Sequence, residues 1–298
     1  MNTGLPRLPR ILLLGHRGQV GWELRRALAP LGEVHAWDHP ELDLADGEML
    51  ERVVRQVAPA IIVNAAAYTA VDRAESEPER ARQVNALAPE RLARLARDTG
   101  TWLVHYSTDY VYDGRQQRPY VETDPTGPLN TYGRTKLEGD QAVQASGCAH
   151  LIFRLCWVYG MRGNNFLLTM LRLARERETL RVVADQIGSP TWCRLIAEAT
   201  ALALQQVLVQ PDPERWSGVY HLRCAGETSW YEFARRIVET VPAGERKCRE
   251  VIPIRTEEYP TPARRPAWSV LSCEKLERTF GLALPHWETA LRLALGGE

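Results

Sequence analysis

The sequence predicts an α/β protein built on a Rossmann-type, doubly wound parallel sheet, with a smaller α/β region toward its C-terminal end. Two observations lead to this prediction. In the first half of the chain, short apolar segments alternate with helical patterns across short connections, which is typical of β–α–β units. Those segments are apolar on both faces, and this favours strands that helices cover on both sides.

The strands of the first half are predicted where Ile, Leu, Val and Ala cluster in short runs. The helices between them are predicted from apolar residues three and four positions apart, such as Val20, Leu24 and Leu28. The predicted strands are Ile11–Gly15, Val34–Asp38, Ala60–Ala66, Trp102–Ser107 and Leu151–Leu155. The predicted helices are Gln19–Leu31, Gly47–Val57, Glu77–Thr99 (one long or two short helices) and Thr131–Ala145.

The second half is less regular and shows no internal repeat or clear linker, so we expect it to pack on the first half and form a cleft with it. The segment Val251–Pro266 is rich in proline, which predicts an extended conformation. The other predicted elements are a short strand at Tyr220–Leu222 and helices at Gly163–Arg177, Arg194–Val209, Trp230–Val241, Lys275–Phe280 and His286–Leu295.

The composition narrows the class of protein. The chain has 298 residues, with 37 Lys plus Arg and 37 Asp plus Glu, so its formal net charge is zero. A balanced charge argues against a nucleic-acid-binding protein, which usually has a basic excess. We also expect no membrane association, because neither a signal-peptide core nor a membrane-spanning run is evident. The six cysteines lack C-x-x-C spacing, which predicts reduced structural thiols and a cytoplasmic protein.

A glycine-rich turn follows the first predicted strand. Gly15, Gly18 and Gly21 have G-x-x-G-x-x-G spacing in GHRGQVG, where the strand passes into a helix. Glycine there allows a tight turn, close approach of the backbone to a pyrophosphate and close helix packing, and the helix N-terminus offers free N–H groups. We therefore predict a dinucleotide site; the alternative is a strand–helix turn without a ligand.

Residues after the second and third strands extend this predicted site. Asp38 follows Gly18 by 20 residues, where a carboxylate accepts from the adenosine ribose. Because it would repel a 2′-phosphate, we predict that NADH is preferred and NADPH is a second cofactor; the alternative is that Asp38 caps the turn. Asp43 and Leu44 are predicted to lie near the adenine, unless they cap the next helix. Small residues after the third strand are predicted to lie along the cofactor, namely Ala66 and Ala67 with Tyr68 and Thr69.

A second group of residues has the pattern of an acid catalyst. Tyr132 and Lys136 are four positions apart in YGRTK, so a helix places both on one face. The lysine charge favours the phenolate and is expected to lower the pKa of the tyrosine, which suits a general acid toward a ketone oxygen. Thr108, which follows Ser107 at the end of the fourth strand, is placed to donate a hydrogen bond to the same oxygen, with a turn residue as the alternative.

The glycine turn, S-T-D at Ser107 and Y-x-x-x-K at Tyr132, in this order, resemble the extended short-chain dehydrogenase/reductase superfamily. Longer segments, among them VNAAAYTAVDRAESEP, HYSTDYVYDG, DQIGSPT and YPTPARRPAWSVL, resemble its dTDP-4-dehydrorhamnose reductase family along essentially the whole chain. The resemblance implies NAD(P)H-dependent reduction of the C4 ketone of dTDP-4-dehydro-6-deoxy-L-mannose to dTDP-L-rhamnose, the last step of dTDP-L-rhamnose biosynthesis. We expect a Rossmann domain over residues 1–160 and a mainly substrate-binding region over residues 161–298, with some segments returning to the Rossmann domain.

The resemblance also implies roles for single residues. Tyr132 would protonate the forming alkoxide, Lys136 would support it and Thr108 would polarise the carbonyl. Trp157 would provide a flat wall for the sugar, with plain core packing as the alternative. The implied substrate-binding residues are Thr108, Asp109, Trp157, Asn165, Gln186 and Arg265. The implied cofactor-binding residues are Gly15, Gly18, Gln19, Val20, Gly21, Asp38, Asp43, Leu44, Ala66, Ala67, Tyr68, Thr69, Tyr106, Tyr132 and Lys136.

Charged residues bear on two further implications. Arg265 matches a diphosphate in charge and fork geometry, but Arg264 is an equal candidate on the sequence alone. Members of the family are often magnesium-dependent dimers with glutamate ligands, and Glu23 is a candidate for one of these. Arg194 replaces the other glutamate, and because a cation repels Mg²⁺ the sequence argues against a metal-bridged dimer. We expect a monomer or a homodimer.

Two other functions fit parts of the sequence. A nucleotide-sugar epimerase, dehydratase or different reductase of the superfamily would share the fold, but the epimerases and dehydratases usually have a G-G-x-G-F-I-G turn. A non-catalytic NAD(P)-binding regulatory subunit, like that of methionine adenosyltransferase, would have a degraded Y-x-x-x-K or S-T motif. Both motifs are intact here, which favours the reductase.

Overall fold

The fold is described from a computed structural model, which covers residues 8–209, 212 and 214–297. Its strands are β1 (Arg10–Leu14), β2 (Glu33–Trp37), β3 (Ile61–Asn64), β4 (Trp102–Thr108), β5 (His150–Leu155), β6 (Val158–Tyr159), β7 (Thr179–Val183), β8 (Ile187–Gly188), β9 (Thr191–Trp192), β10 (Gly218–Leu222), β11 (Thr228–Ser229) and β12 (Glu250–Ile254). Its helices are α1 (Gln19–Ala27), α2 (Gly47–Val57), α3 (Val71–Ala74), α4 (Pro78–Arg82), α5 (Ala88–Thr99), α6 (Thr131–Ala145), α7 (Phe166–Glu176), α8 (Cys193–Leu208), α9 (Trp230–Thr240), α10 (Glu274–Phe280) and α11 (Trp287–Ala294). Short 3₁₀ turns lie at Asp109–Val111, Glu214–Trp216 and Thr256–Glu258, and a π-helical turn lies at Gln83–Leu87.

The central sheet has the strand order β10-β5-β4-β3-β1-β2, and each neighbouring pair is parallel. Beginning at β1, the chain moves outward to β2 and then returns to place β3 on the other side of β1. Such a reversal leaves a crevice at the carboxyl ends of the two strands. The order confirms the predicted Rossmann-type sheet.

Helices cover both faces of this sheet. Successive side chains of a strand point to opposite faces, so Leu13 packs toward α1 and α8 while Leu12 packs toward α2 and α5. All four residues from Ile11 to Leu14 are buried, with at most 1% of their surface exposed. This two-sided burial is the reason that the strands read as continuous apolar runs rather than as alternating patterns.

The second half of the chain contributes to two regions. Strand β10 pairs with β5 at the edge of the central sheet, and α8 packs against α1. The remaining segments form a smaller unit in which β12 pairs in parallel with β7, and β6 with β9. The core of this unit lies among α7, α9 and α11, where Phe233 and Trp287 are packed edge to face.

Several element bounds differ from the predicted ones for local reasons. The first helix ends at Ala27 rather than Leu31, shortly before Pro30, which disfavours helical backbone in the residue before it. The predicted Glu77–Thr99 segment is one run from α4 through the π turn to α5. The proline-rich Val251–Pro266 segment is extended only in part: β12 ends at Ile254 and a 3₁₀ turn follows. The two-residue strands were not predicted, because so short a segment has no periodicity to detect.

The described residues also bear on two expectations about composition. All six cysteines are free, with Cys273 partly exposed and the other five buried. Within the described ranges, none of the helices is both long and apolar enough to cross a membrane.

We predict that Gly21→Ala destabilises the fold by about 1–3 kcal/mol, because a methyl group would overpack the turn between β1 and α1. A Cβ at Gly21 would lie 2.0 Å from the Gly15 carbonyl oxygen, which is backbone and cannot rotate away. Urea unfolding measures the change. Gly244→Ala is the matched control, because a Cβ there has no heavy atom within 4 Å among the described residues. Equal midpoints for the two variants would contradict the prediction.

Candidate active site

A cleft of about 650 Å³ opens at the carboxyl ends of β1, β3 and β4. The glycine turn and the segments after β3 and β4 form one side, and residues from the second half of the chain form the other. Ligands of open parallel sheets bind at this edge, where the strands end. The predicted site residues that line it are Gly15, Gly18, Gln19, Val20, Asp38, Ala66, Ala67, Thr69, Tyr106, Thr108, Asp109, Tyr132, Lys136, Trp157 and Asn165.

A smaller pocket of about 210 Å³ adjoins the cleft behind the ends of β1 and β2, and shares Gly15 and Asp38 with it. Arg80 Nη2 donates to both carboxylate oxygens of Asp43, at 3.0 and 2.8 Å. The N-cap of α2 is Asp46 rather than Asp43, so the alternative role of Asp43 as that cap is wrong. The predicted residues that line this pocket are Gly15, Asp38, Ala66 and Ala67, which also line the cleft, together with Asp43, Leu44 and Tyr68.

The glycine turn is in contact with the segment after β3 and with the N-terminal cap of α7. Gly15 has a φ of 81°, and a Cβ there would lie 2.6 Å from the Ala66 nitrogen, so glycine is required on both counts. Gln19 Oε1 accepts a hydrogen bond from Asn165 Nδ2 at 2.8 Å. Asn165 also caps α7, where its Oδ1 accepts from the Leu168 N–H. The turn is therefore tied directly to a helix of the second half.

Asp38 lies immediately after β2 and borders both cavities. Its Oδ2 accepts from the Arg17 N–H at 2.7 Å and its Oδ1 from the His39 N–H at 2.8 Å. The Arg17 guanidinium continues to the His39 carbonyl and to Glu41. Asp38 thus stabilises the turn, as the alternative interpretation held, and also presents a negative charge to the cleft. The adjacent guanidinium of Arg17 was not predicted.

Tyr132 and Lys136 lie one turn apart at the start of α6. The helix begins here because Asn130 Oδ1 accepts from the Gly133 N–H at 2.8 Å. Burial raises the pKa of Tyr132, and the nearby Thr108 hydroxyl opposes that rise only in part. The prediction that Lys136 lowers this pKa is wrong for this structure, since the lysine amine is directed to other groups.

Lys136 is almost fully buried, with 1% of its surface exposed. Its Nζ donates to the Tyr106 carbonyl and lies 3.2 Å from His105 Nε2. Burial lowers the pKa of Lys136 to about 8, and the charge of Asp140 acts in the opposite direction. The lysine therefore sits beneath the cleft as a desolvated cation with few fixed partners.

Thr108 and Asp109 form the end of β4. The Thr108 hydroxyl donates to Asp109 Oδ1 at 3.0 Å and accepts from the Tyr110 N–H at 3.2 Å, which starts the 3₁₀ turn. Asp109 is 3% exposed, and among the described residues its Oδ2 has no hydrogen-bond partner. Burial raises the pKa of Asp109 to about 6, although Ser269 and Cys156 act to lower it. A buried, incompletely satisfied carboxyl group in a cleft is typical of a binding site.

Trp157 both lines the cleft and is packed against other residues, while its role as a wall for the sugar stays a prediction. Its indole lines the cleft and also stacks on Trp230, with ring centroids 3.5 Å apart and an interplanar angle of 8°. Its φ of 43° is unusual for a bulky residue. The indole packs directly over Gly188, where a Cβ would lie 2.3 Å from it. The stacked pair gives this side of the cleft a flat apolar surface.

Two predicted substrate residues do not line the cleft. Gln186 is buried, and its Nε2 donates to the Thr256 hydroxyl at 3.1 Å. Arg265 forms a bidentate pair with Asp72, at 3.1 and 2.8 Å, and so joins the C-terminal part of the chain to α3. Arg264, the alternative candidate, is exposed. Gly21 also lies outside the cleft and serves close packing of α1 on the turn.

Glu23 and Arg194 lie on α1 and α8, outside the cleft. Arg194 Nε is 3.0 Å from Glu198, and Arg26 is 3.9 Å from Glu23, so each carboxylate has an arginine beside it. Among the described residues, no cluster of three or more His, Cys, Asp or Glu side chains could hold a metal ion. These residues do not fit a magnesium site, which needs carboxylates free of competing cations.

The sequence interpretation missed much of the aromatic side of the cleft. Trp230 and Phe233 stand three positions apart at the start of a predicted helix, which places them on one face. That spacing was a usable signal, but it indicates core packing as readily as a site. The residues that line the cleft without having been predicted include Arg17, Val71, Tyr110, Tyr159, Phe166, Trp230 and Phe233.

The parallel sheet, the glycine turn and the Thr108–Tyr132–Lys136 cleft define a Rossmann-type reductase of the extended short-chain dehydrogenase/reductase class. A family model described as the RmlD substrate binding domain matches residues 9–297. The dTDP-4-dehydrorhamnose reductase of Burkholderia thailandensis is 50% identical over 291 residues, which covers 96% of this chain and 98% of that protein. The chain belongs to the dTDP-4-dehydrorhamnose reductase family.

Two further comparisons agree with this assignment. The Escherichia coli K12 protein named dTDP-4-dehydrorhamnose reductase is 48% identical over 294 residues, or 96% of each chain. The crystal structure of the Bacillus anthracis protein of that name, in complex with NADP, is 35% identical with a TM-score of 0.86 and covers 96% of this chain and 98% of its own. These similarities confirm the family that the sequence motifs indicated.

We predict that Asp109→Asn stabilises the protein at pH 8 by about 1–3 kcal/mol, from the difference between its raised pKa and that of an unfolded aspartate. Because the pKa of Asp109 is raised from 3.8 to about 6, the folded state binds its proton more tightly than the unfolded state does. The associated stability is present below pH 4 and lost as the pH rises through 6. Thermal unfolding across pH 4–8 measures this. A variant whose advantage does not grow with pH would contradict the prediction.

Proposed function

We propose that this chain reduces the C4 ketone of dTDP-4-dehydro-6-deoxy-L-mannose to dTDP-L-rhamnose with NADH or NADPH, the last step of dTDP-L-rhamnose biosynthesis. The observation that carries the proposal is the meeting of Thr108, Tyr132 and Lys136 in one cleft, in a chain that belongs to the dTDP-4-dehydrorhamnose reductase family. The glycine turn and a flat aromatic wall border the same cleft.

In this proposal a bound nicotinamide supplies the hydride to the sugar carbon, and the residues of the chain control the proton. Tyr132 gives its phenolic proton to the forming alkoxide, and its raised pKa keeps the phenol protonated until that charge develops. The Thr108 hydroxyl donates to the same oxygen and orients the carbonyl. The Lys136 ammonium, which donates to the Tyr106 carbonyl in this structure, is proposed to turn toward the phenolate that remains on Tyr132 and to stabilise it.

The glycine turn and the adjoining pocket are proposed to hold the cofactor. The N-terminus of α1 faces the cleft with free N–H groups that suit a pyrophosphate. Asp38 is proposed to accept from the adenosine ribose and to favour NADH, while the Arg17 guanidinium beside it leaves NADPH as a second cofactor. Asp43, Leu44 and Tyr68 are proposed to surround the adenine.

The substrate is proposed to lie between this half and the aromatic wall. Trp157 would support the sugar, with Asp109 beside it and Asn165 at the nucleotide end. Arg265 is proposed to meet the diphosphate, which requires it to exchange its partner Asp72 for the ligand. Gln186 is kept as a nucleotide contact on the resemblance alone. On this division, residues 1–160 hold the cofactor and residues 161–298 mainly the substrate.

Three further proposals concern the state of the protein. We propose that it works without a structural Mg²⁺, since arginines pair with the carboxylates of α1 and α8. We propose a monomer or a homodimer. The six free thiols suit the reducing environment of the cytoplasm, which we propose as its location.

The test of this function is oxidation of NADH, followed by absorbance, with the keto-sugar generated in place from dTDP-glucose by the enzymes that precede this step. We expect consumption that depends on the keto-sugar, with dTDP-L-rhamnose as the product. Binding of NADH without consumption would contradict the proposal and favour a non-catalytic subunit. Consumption only with a different nucleotide sugar would change the substrate but keep the reaction class.

We predict that Tyr132→Phe lowers kcat by at least about 100-fold, because it removes the acid that protonates the alkoxide. NADH affinity, measured by fluorescence titration, should stay within about threefold, a change of less than 1 kcal/mol. Tyr220→Phe is the matched control, since its hydroxyl only donates to the Trp216 carbonyl at 2.8 Å. Near-normal turnover of Tyr132→Phe would count against the assigned role.

We predict that Asp38→Asn raises the ratio of kcat/KM for NADPH to that for NADH by about tenfold, the size of one removed charge repulsion near the surface. The amide removes the charge and keeps one of the two oxygens that accept from the Arg17 and His39 N–H groups. Steady-state kinetics with both cofactors measures the ratio. Asp98→Asn, an exposed residue paired with Arg97, serves as the control. An unchanged ratio would mean that Asp38 acts on the turn alone.

A further inference from the structure

A network of buried polar side chains lies directly under the Tyr132–Lys136 turn of α6. On β4, His105 and Ser107 point to the face of the sheet that α6 covers, and on β5 Arg154 points to the same face. Asp140 meets them from α6 and has no exposed surface. Sequence analysis assigned no role to His105, Asp140 or Arg154.

Lys136 needs a compensating charge in this position. A buried ammonium group loses its proton unless an opposite charge lies near it. Its neighbour His105 cannot help, because burial and the charge of Lys136 lower the pKa of this imidazole well below its usual value and leave it neutral. Asn64 Nδ2 lies 3.2 Å from His105 Nδ1, and because an amide nitrogen only donates, Nδ1 is the accepting nitrogen of the ring. The neutral ring supplies no negative charge to Lys136.

Asp140 is the carboxylate in the right place. It follows Lys136 by four residues on α6, which puts both side chains on one face of the helix. Its Oδ2 accepts from the Ser107 hydroxyl at 2.7 Å and from Arg154 Nε at 3.2 Å. Its Oδ1 has no hydrogen-bond partner among the described residues and lies 3.9 Å from His105 Nε2. Oδ2 is therefore anchored to the sheet by Ser107 and Arg154, while Oδ1 remains available to the Lys136 amine.

Titratable and charged groups from several elements surround Lys136 and Asp140. Among the described residues, β4 contributes His105 and β5 contributes Arg154, while α6 itself contributes Tyr132. Burial raises the pKa of Asp140, while Arg154 and Lys136, the two cations beside it, act to lower it. Two carboxylates, Asp109 and Asp140, act on Tyr132, and both raise the pKa of its phenol.

We propose that Asp140 is a positioning residue for the reduction: its carboxylate, anchored by Ser107 and Arg154, keeps the buried Lys136 amine charged. The proposal rests on the proposed function for the role of Lys136 in turnover. The electrostatic coupling between Asp140 and Lys136 does not depend on that role, because it follows from the burial of the network and the distances within it. Asp140 touches no reacting atom and acts through Lys136 alone.

The coupling can be measured without any substrate. The sequence contains only three lysines, Lys136, Lys247 and Lys275, so ¹³Cε-lysine NMR of the full chain gives three titrations. Lys136→Arg identifies the Lys136 signal by its loss, and exposed Lys247 is an internal reference. We expect Lys136 to titrate with a pKa of about 8 in the natural sequence. In Asp140→Asn its midpoint should fall by at least about one pH unit, the usual effect of losing an adjacent opposite charge, with Lys247 unchanged.

Turnover gives the second readout. In Asp140→Asn, Lys136 should lose its proton at a lower pH, and a neutral amine cannot stabilise the phenolate. The alkaline limb of the kcat–pH profile should therefore move to lower pH by the same amount as the Lys136 titration. Thr101→Val, which removes a buried hydroxyl bonded to the Pro59 carbonyl at the far end of β4, controls for general loss of a polar group.

The outcomes that overturn the proposal are distinct from failure of the proposed function. A folded Asp140→Asn in which Lys136 titrates as in the natural sequence would overturn it. If that variant does not fold, the natural sequence still decides: a Lys136 midpoint below about 7 would mean that no carboxylate compensates the amine. Absence of keto-sugar reduction in every variant would overturn the proposed function, while the NMR titration would still decide the role of Asp140.

Discussion

In the parallel central sheet, β1, β3 and β4 end at the same edge, and the chain must leave each of them through a turn that no further strand covers. The last backbone bonds of the sheet there include Gly15 N–H to the Trp37 carbonyl and Ala65 N–H to the Leu14 carbonyl. Beyond them the chain continues in turns, against which a ligand can lie. At this edge the chain turns at Gly15, which has a φ of 81°, and a 3₁₀ turn follows Thr108 at the end of β4. The position of the cleft follows from this shared strand direction, and the rest of the site is arranged around it.

The chemistry at this edge requires polar groups that a stable core would exclude. Lys136, Asp140, His105 and Arg154 are all buried beneath α6, and Asp109 keeps an oxygen without a partner among the described residues. Each charge is desolvated, which makes its field on Tyr132 stronger than it would be in water. The same desolvation makes removal of any one charge costly, because its partner is left uncompensated. Stability and reactivity therefore depend on the same few contacts.

The sequence predicted the order of strands and helices in the first half well, because their periodicity is local. The glycine turn, Thr108 and the Tyr132–Lys136 pair were also predictable, since a strand end or one helical turn fixes their relative positions. What could not be predicted depends on contacts between distant segments. Arg265 meets Asp72 from nearly the other end of the chain, and Trp230 stacks on Trp157 from a later segment on the same side of the cleft. No spacing within one element encodes such pairs.

The electrostatics was hard to predict for a related reason. The sequence shows that Lys136 stands one helical turn from Tyr132, but not that burial raises the pKa of the phenol while the lysine amine donates to the Tyr106 carbonyl. Likewise, Asp38 was predicted either to hold a ribose or to stabilise a turn, and the structure shows its two oxygens occupied by backbone N–H groups of Arg17 and His39. Desolvation depends on what packs above a residue, and this is a property of the whole fold.

The hydrogen bond between Gln19 and Asn165 links the turn after β1 to the cap of α7, and so joins the two sides of the cleft by a single amide pair. A ligand that fixes one of these side chains restricts the other, so occupancy on one side changes the conformational freedom on the opposite side. Thermodynamic linkage makes such an effect reciprocal: by whatever factor the first ligand alters the affinity of the second, the second alters that of the first. We therefore expect the ligand affinities of the two half-sites to be linked, with a total binding free energy that does not depend on which ligand binds first.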